Sequence, residues 1–487
     1  MFHFEMKAIF LIFTIVIAFS NATIPECSGG VVTFDKPANT TIGTSYPGVF
    51  NNSNIQNFPK LYNCDYQINV PQNYSARVHL YVVTNDNTTA PVQVTDQLGR
   101  SEEVQSVKNT LFFFISPGGK IQLSTGNREV GFGFVIYWDE YPNFTTNYLN
   151  ISKSNNLPPI YAIDLQQQVL ISAETRVSLT IQPPVLSSNL QYMRGLIFFD
   201  GPDWNSPYLG TGLELLNLKS QFVSTGAQLT ALYIGNSGFI SDCPMIVLDY
   251  ENTKNITQFY SIYCMKDQEC EPMSMDARNS VVALQLYHRP AAVHYVLTAL
   301  NGAGVVKAYD GGGNSNLLAA YEVQNSQLSL PQKFFGQLTT LLFTGGKSTI
   351  SLTRKRDSFG MTTDYDQSGF ISSDPYEPPS SSRHTNITLH SPDPKLATFK
   401  VSNVATTMVN GSRLTLTSYM NEMVLLQMII DTSNTVVPNS TLRFPGTSLS
   451  VEYYPSIADT GAFYMNFQVI KLSSTNLSLM ILIFLLC

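Results

Sequence analysis

The chain has 487 residues, a formal net charge of −7 and only 13% charged residues, while 11% of its residues are aromatic. This composition is too apolar and aromatic for a disordered chain, and too acidic for a protein that holds a nucleic-acid backbone by charge alone. At roughly 150 residues per domain, the length predicts about three domains. The many Thr, Ser, Asn, Tyr and Phe residues favour strands over helices. Composition therefore predicts an all-β, multi-domain protein.

An apolar segment follows Lys7 near the N-terminus and covers residues 8–19. A basic start, about a dozen apolar residues and an exit through small residues are typical of a secretory signal peptide. The segment is short for a membrane-spanning helix, which needs about 20 residues. We predict a signal peptide over residues 1–20, with cleavage after Ser20 or, alternatively, after Ala22.

The other end of the chain, residues 473–487, starts with Ser473 and Ser474 and finishes in an apolar tail from Leu477 to Cys487. The tail is too short to span a bilayer, and small residues before a terminal apolar tail are typical of a glycolipid (GPI) attachment signal. We predict such a signal over 473–487, with attachment at Ser473, Ser474 or a nearby small residue. The alternative is an apolar end that packs on the last domain.

Asn-x-Ser/Thr sequons are distributed along the chain between these two ends. Ten of them are at Asn39, Asn51, Asn73, Asn87, Asn143, Asn150, Asn255, Asn386, Asn410 and Asn439. Glycosylated sequons must lie on the exposed surface of a secreted protein. So many sequons behind a signal peptide predict a secreted, N-glycosylated protein.

The cysteines agree with export to an oxidising compartment, where disulfides form and persist. One of the six would leave with the C-terminal tail. Cys27 and Cys64 each lie far from the other three, and we predict that they are bonded. Among Cys243, Cys264 and Cys270, we favour the pair Cys243–Cys264, and Cys264–Cys270 is the alternative. No spacing matches a four-ligand zinc site, and we predict neither a metal nor a cofactor.

A short pattern recurs along the chain: an apolar strand ends in an Asp-containing turn, and a Gly turn then leads into another strand. The recurring aspartates are Asp96, Asp200, Asp310 and, in a weaker fourth copy, Asp431. Asp suits turns because it binds nearby backbone amides, and Gly suits them because it tolerates positive φ. Strands with frequent turns, in units near 110 residues, predict tandem β-sandwiches.

Several stretches carry a family resemblance. In the first copy they are the run that starts with Cys27-Ser-Gly-Gly, the segment from Asn63 to Pro71, and the stretch from Asp96 to Trp138. These closely resemble the nematode-type CUB-like domain, while residues 199–202 and 369–376 resemble parts of an ordinary CUB domain. The resemblance implies extracellular jelly-roll β-sandwiches that serve recognition and carry no chemistry of their own.

The repeats and the resemblance together predict a division of the chain. It comprises CUB-like domains at 27–140 and 150–264, a partial third at 275–353, a linker at 354–361 and a degenerate fourth at 362–471. Calcium-binding CUB domains place a carboxylate six residues before the turn aspartate. The residues there are Ala90, Arg194, Gly304 and Leu425. The resemblance therefore carries no calcium site to this chain.

No motif for catalysis stands out, since a Gly-x-Ser-x-Gly elbow, a His-Glu-x-x-His pair and a P-loop are all absent from the sequence. We expect a non-catalytic protein of the cell surface, GPI-anchored or otherwise secreted, that binds an unknown protein or glycan. The resemblance implies a part in innate defence against microbes. One alternative is a structural glycoprotein of a surface coat. Another is an extracellular hydrolase whose two carboxylates meet only in the fold.

Overall fold

The computed structural model divides the chain into two compact units, Met1–Tyr141 and Pro142–Cys487. It describes residues 27–472 except for 28, 49, 51–54, 86–87, 142–144, 154–159, 162–167, 185, 236–242, 266, 289–292, 315, 336–337, 357–359, 374–383, 393–395, 438 and 457–461. The predicted signal peptide at 1–20 and the predicted attachment signal at 473–487, with Ser473 and Ser474, lie outside the described residues. So do the sequon residues Asn51, Asn87 and Asn143.

The first unit is one β-sandwich. Its strands are β1 (Val31–Phe34), β2 (Thr44–Tyr46), β3 (Asn57–Phe58), β4 (Asn63–Asn69), β5 (Tyr74–Val83), β6 (Val92–Thr95), β7 (Ser101–Val104), β8 (Val107–Ile115), β9 (Gly118–Ser124) and β10 (Val130–Glu140). One sheet has the order β1-β4-β9-β6-β7, and the other has β2-β10-β5-β8 with β3 paired to β10. Strand β1 runs parallel to β4, whereas β4 and β9 are antiparallel.

Aromatic side chains fill the core of this sandwich. Along β10, Phe132, Phe134, Ile136 and Trp138 are buried, as the period of two predicts for a strand with one face in a core. The ring of Tyr66 stacks on Phe132 with the centroids 5.4 Å apart. Aromatic rings that pack against one another in this core stabilise the unit.

The second unit begins with a second sandwich. Its strands are β11 (Thr146–Ile151), β12 (Ile160–Tyr161), β13 (Gln168–Ala173), β14 (Val177–Ile181), β15 (Leu196–Phe199), β16 (Tyr208–Thr211), β17 (Phe222–Val223), β18 (Gln228–Tyr233) and β19 (Pro244–Asp249). The sheet orders are β11-β13-β18-β15-β16 and β12-β19-β14-β17. Helix α1 (Gly212–Leu218) begins at a capping box, in which Thr211 and Glu214 each accept a hydrogen bond from the other's backbone amide. Two 3-10 helices cover Ser187–Gly195 and Tyr250–Asn252.

The third sandwich follows directly. Its strands are β20 (Ile256–Ser261), β21 (Gln268–Glu269), β22 (Met273–Asp276), β23 (Val281–Tyr287), β24 (Val293–Gly302), β25 (Val305–Asp310), β26 (Asn316–Glu322), β27 (Gln332–Lys333), β28 (Leu338–Thr344) and β29 (Lys347–Arg356). The sheet orders are β20-β23-β28-β25-β26 and β21-β29-β24-β27, with β22 paired to β29. A 3-10 helix covers Val323–Ser329.

The fourth sandwich ends the described chain. Its strands are β30 (Met361–Thr362), β31 (Ser368–Ser372), β32 (Thr385–His390), β33 (Ala397–Thr407), β34 (Arg413–Met420), β35 (Met423–Ile430), β36 (Thr441–Gly446), β37 (Ser448–Tyr454) and β38 (Ala462–Lys471). The sheet orders are β30-β32-β37-β34-β35 and β31-β38-β33-β36.

All four sandwiches share one strand order. In each, a short edge strand (β1, β11, β20 or β30) runs parallel to its neighbour, and the other neighbours in that sheet are antiparallel. The second sheet also has the same order of equivalent strands in every sandwich. The chain is therefore all-β and built of tandem β-sandwiches, which confirms the predicted fold class.

The observed sandwiches differ in extent from the predicted divisions. Strand β20 (Ile256–Ser261), which falls in the predicted second domain at 150–264, pairs with β23 and belongs to the third sandwich. The third sandwich has both of its sheets and is not partial. The predicted linker at 354–361 is wrong at its start, since residues 354–356 belong to β29. Arg354 is buried there, and its guanidinium lies 4.6 Å from the centre of the Tyr263 ring.

The fourth copy of the repeat also needs a correction. Asp96, Asp200 and Asp310 end or directly follow the equivalent strands β6, β15 and β25. The equivalent strand of the fourth sandwich is β34, whereas Asp431 follows the next strand, β35. Asp431 does form a turn, since its carboxylate accepts hydrogen bonds from the amides of Ser433 and Asn434.

The disulfides agree with one prediction and overturn another. Cys27 and Cys64 are bonded in the first sandwich. Cys264 is bonded to Cys270, so the favoured Cys243–Cys264 pair is wrong and its alternative is right. The reason is the fold: Cys243 is buried in the core of the second sandwich beside β19, while Cys264 follows β20 in the third.

Candidate functional site

Within the second unit, the second sandwich packs on the third through a small apolar cluster and a buried polar contact. Ile246 and Leu248 lie against Tyr287 and Leu338. Beside them the hydroxyl of Thr180 donates a hydrogen bond of 2.8 Å to the side-chain oxygen of Gln285. Both partners of this bond are buried, and a satisfied buried hydrogen bond contributes to the contact between the two sandwiches.

The third and fourth sandwiches share a continuous hydrophobic core. Phe370 of β31 is buried between them, with its ring centre 6.1 Å from that of Phe334 and 5.8 Å from that of Tyr464, on which it stacks. Phe370 lies on the outer face of its sheet, and contact with the third sandwich removes it from water. Burying an aromatic ring in this way stabilises the joint by about 2 kcal/mol.

A glutamine of the third sandwich closes the edge of the fourth. The side chain of Gln332 accepts a hydrogen bond of 3.1 Å from the amide of Phe370 and donates one of 3.0 Å to its carbonyl. Strand β31 is an edge strand, so these backbone groups point away from the sheet. Gln332 thus takes the place of a neighbouring strand at this point, and it is itself buried.

A cleft of about 420 Å³ lies beside this joint. Its floor is the outer face of the sheet that contains β31, β38 and β33, and it carries Ser368, Lys400, Ser402, Asn466 and Gln468. Its wall is strand β26 of the third sandwich together with the end of the adjacent 3-10 helix. Pockets of several hundred Å³ are typical of small-molecule sites in proteins.

The floor of the cleft offers hydrogen-bond donors that no described residue uses. The ammonium group of Lys400, the amide of Gln468 and the hydroxyl of Ser402 are all partly buried, and none is hydrogen-bonded to another described residue. These three side chains are cross-strand neighbours or lie two residues apart, so they are within about 7 Å of one another. None of the described residues that line the cleft carries a carboxylate.

Tyr464 links the wall to the floor. Its hydroxyl lies 2.7 Å from the carbonyl oxygen of Leu318 and 2.7 Å from the side-chain oxygen of Asn466. Burial raises the pKa of Tyr464 to about 12, so the hydroxyl stays neutral at physiological pH and remains a donor. Tyr464 therefore shapes the cleft and presents an apolar ring edge beside the polar floor.

The turn aspartates of the repeats do not gather into a site. Asp96 accepts hydrogen bonds from the amides of Leu98 and Arg100, and Asp200 accepts one from the amide of Thr225. Across the described ranges, no group of three or more His, Cys, Asp or Glu side chains is placed to hold a metal ion. The aspartates serve the turns of separate sandwiches.

The described sequon asparagines lie at the surface. Those exposed to solvent are Asn39, Asn73, Asn150, Asn255, Asn410 and Asn439, and Asn386 is partly buried in β32. None of these residues lines the cleft.

The cleft residues did not stand out in the sequence. The alternation of Phe463, Met465 and Phe467 indicates which face of β38 is buried, and the residues between them must then point outwards. That rule places Tyr464 and Asn466 on the outer face, but it does not indicate that another sandwich covers part of that face.

Three family models match parts of the chain. Residues 22–142 match the family described as CUB-like domain. Residues 150–234 and 251–355 match two families that are each described as a domain of unknown function. No curated protein matches the chain. No helix within the described part of the chain is both long and apolar enough to cross a membrane.

Solved structures with similarity to the chain include CUB domains. The CUB1-EGF-CUB2 domains of rat MASP-1 align at 8% identity and a TM-score of 0.17, covering 43% of this chain and all of that one. The CUB1-EGF-CUB2 domain of human MASP-1/3 aligns at 11% identity and a TM-score of 0.15, covering 39% of this chain and 94% of that one. The family match covers the first β-sandwich and its disulfide, and disulfides are typical of extracellular proteins.

Proposed function

We propose that this protein is an extracellular recognition protein that binds a glycan in the cleft between its third and fourth sandwiches. The observation that carries the proposal is the cleft floor, where Lys400, Gln468 and Ser402 present unused donors next to an aromatic side chain. Sugars offer many hydroxyl acceptors on a compact ring with apolar faces. A concave site with a few convergent polar groups and an aromatic side chain suits that chemistry.

The backbone around the cleft favours a sugar over a peptide strand. Peptides commonly bind by adding a strand to a sheet edge. Strands β33 and β38 of the floor are paired on both sides, so neither offers a free edge. In the wall, the carbonyl of Leu318 in edge strand β26 is already bonded to Tyr464. We therefore expect side chains, and not backbone groups, to bind the ligand in this cleft.

The setting that we propose is the cell surface. The predicted signal peptide and GPI-attachment signal, the exposed sequons and the disulfides support export and display outside the cell. The resemblance of the first sandwich to nematode-type CUB-like domains supports a part in defence against microbes. Binding without catalysis is part of the proposal, and the CUB-like match of the first sandwich supports it.

A glycan array probed with the purified, full-length secreted protein tests this proposal. We expect binding to a limited set of glycans, and loss of at least tenfold in affinity when Ser402→Trp fills the cleft. Thr441→Trp is the matched control, because Thr441 is exposed and pairs with Ser402 on the same sheet face but lies outside the cleft. Absence of glycan binding, or equal binding by both variants, would overturn the proposal.

A further inference from the structure

We infer that the glycan bound in this cleft carries a carboxylate, as a uronic acid does, and that Lys400 binds that carboxylate; the inference rests on the proposed function. Among the described residues that line the cleft, Lys400 is the only cation and none is acidic. The local charge is therefore positive, although the chain as a whole carries a net charge of −7.

The position of Lys400 in the sheet is the first argument. Lys400 of β33 lies directly opposite Arg443 of β36, and Gln468 of β38 lies opposite Lys400 on the other side. Like charges directly opposite each other destabilise a sheet. Neither cation has an ion-pair or hydrogen-bond partner among the described residues. A bound anion would relieve this repulsion, so the pair suits a site that is completed by its ligand.

The donors next to Lys400 are the second argument. A carboxylate has two oxygens that can accept several hydrogen bonds, and it forms stronger bonds with charged donors than with neutral ones. The amide of Gln468 is on the neighbouring strand, about 5 Å away along the sheet. One carboxylate can therefore bind the ammonium of Lys400 with one oxygen and the amide of Gln468 with the other. Ser402 is then left to bind a hydroxyl of the same sugar.

The shape of the cleft is the third argument. A volume of about 420 Å³ holds one or two sugar rings, and the β26 wall carries the apolar residues Leu318, Ala319 and Ala320. The lining therefore combines the polar side chains of the floor with an apolar wall. A sugar can place its carboxylate on the polar floor and its apolar ring face against the apolar wall.

The test compares two oligosaccharides that differ only in the terminal residue, glucose in one and glucuronic acid in the other. Binding to the full-length secreted protein is measured by calorimetry. We expect the acidic sugar to bind at least tenfold more tightly, because a hydrogen bond to a charged group contributes about that much. Raising the salt concentration should weaken binding of the acidic sugar alone, since salt screens the charge on a partly exposed lysine.

Variants separate this inference from the proposed function. Lys400→Gln should abolish the preference, so that the acidic and the neutral sugar bind with equal affinity. Lys307→Gln, which removes an exposed lysine of β25 outside the cleft, should change neither affinity. If the two sugars bind with equal affinity and Ser402→Trp abolishes the binding of both, the inference that the glycan carries a carboxylate is wrong. The proposal that the cleft binds a glycan would still hold. A preference that persists in Lys400→Gln, or a failure of both sugars to bind, would also overturn the inference.

Discussion

The hydroxyl of Tyr464 donates a hydrogen bond of 2.7 Å to the backbone carbonyl of Leu318, a residue 146 positions earlier in the chain. Leu318 is the bulged residue of edge strand β26, because the strand register skips from Leu317 to Ala319 at that point. The bond therefore satisfies a carbonyl that no strand pairs, and it joins the third sandwich to the fourth. A bulge also makes an edge a poor template for another strand.

Removing this hydroxyl should loosen the joint. We expect Tyr464→Phe to lower the free energy of unfolding by about 1 kcal/mol, the usual net contribution of one hydrogen bond, and to expose the Leu318 carbonyl. Urea unfolding measures the change. Tyr148→Phe is the control, because Tyr148 is 74% exposed in β11 and should have almost no effect. Equal effects of the two substitutions would contradict the role given to Tyr464.

The side chain of Gln332 should contribute strongly to the stability of the second unit. We expect Gln332→Leu to destabilise the second unit by about 2–4 kcal/mol, because it leaves both the amide and the carbonyl of Phe370 buried without partners. Gln324→Leu, in the adjacent 3-10 helix, is the control, since Gln324 is exposed. Thermal unfolding of both variants measures the difference, and similar melting temperatures would refute the expectation.

Asp249 should make the second sandwich sensitive to acid. Burial by itself raises the pKa of this carboxyl, but hydrogen bonds from the Thr175 hydroxyl and from the amides of Glu251 and Thr175 outweigh it and hold the pKa below its ordinary value of 3.8. A lowered pKa in the folded state means that the stabilisation is complete above about pH 5 and is lost as the pH falls through the folded pKa.

We therefore expect Asp249→Asn to be less stable than the native protein at pH 7, by about 1–3 kcal/mol. The difference should shrink as the pH falls from about 5 to about 2, because the native carboxyl then takes up a proton as well. Melting temperatures across this range check the trend. A difference that stays constant with pH would show that the charge of Asp249 is irrelevant.

The two disulfides can be checked directly. Peptide mapping without reduction should recover the crosslinks Cys27–Cys64 and Cys264–Cys270. Replacing Cys27 and Cys64 by Ser should destabilise the first sandwich by about 4 kcal/mol, as the chain-entropy cost of a loop of this length implies. Recovery of a Cys243–Cys264 peptide would contradict the structure.

The exposed sequons should accept glycans without strain. We expect mass spectrometry of the secreted protein to find glycans at the six exposed sites described above. Replacing Asn150, Asn255 or Asn410 by Gln should change the free energy of unfolding by less than about 0.5 kcal/mol, as is usual for surface positions. A large loss of stability at Asn410, for instance, would mean that its side chain has a structural role.

The sequence predicted the class of fold because its signals are local. Alternation along β10 and β38 marks a buried face whatever the partner strand is. The repeat was less reliable in its fourth copy, because an Asp turn can end any strand. Only the pairing of β34 with β37 and β35 shows that Asp431 follows the wrong strand for the repeat. The pairing of Cys264 likewise depends on which sandwich holds β20.

The cleft could not be predicted, for a different reason. Polar residues such as Lys400 and Gln468 alternate with buried ones, and so they are expected on the outer face of a strand. Whether that face meets water or a second sandwich depends on tertiary packing. Phe370 is a local indication that part of this face is covered, because its large apolar side chain lies on the same face as these polar residues and is buried.

The closed edge of β31 has a consequence for how the protein can be divided. Tandem β-sandwiches suggest a chain that can be cut between repeats into fragments that fold alone. A fragment that begins after Arg356 would lose Gln332 and leave the amide and carbonyl of Phe370, together with its ring, open to solvent. Such an edge pairs readily with other copies of itself. A piece that contains both the third and the fourth sandwich keeps the edge of β31 protected.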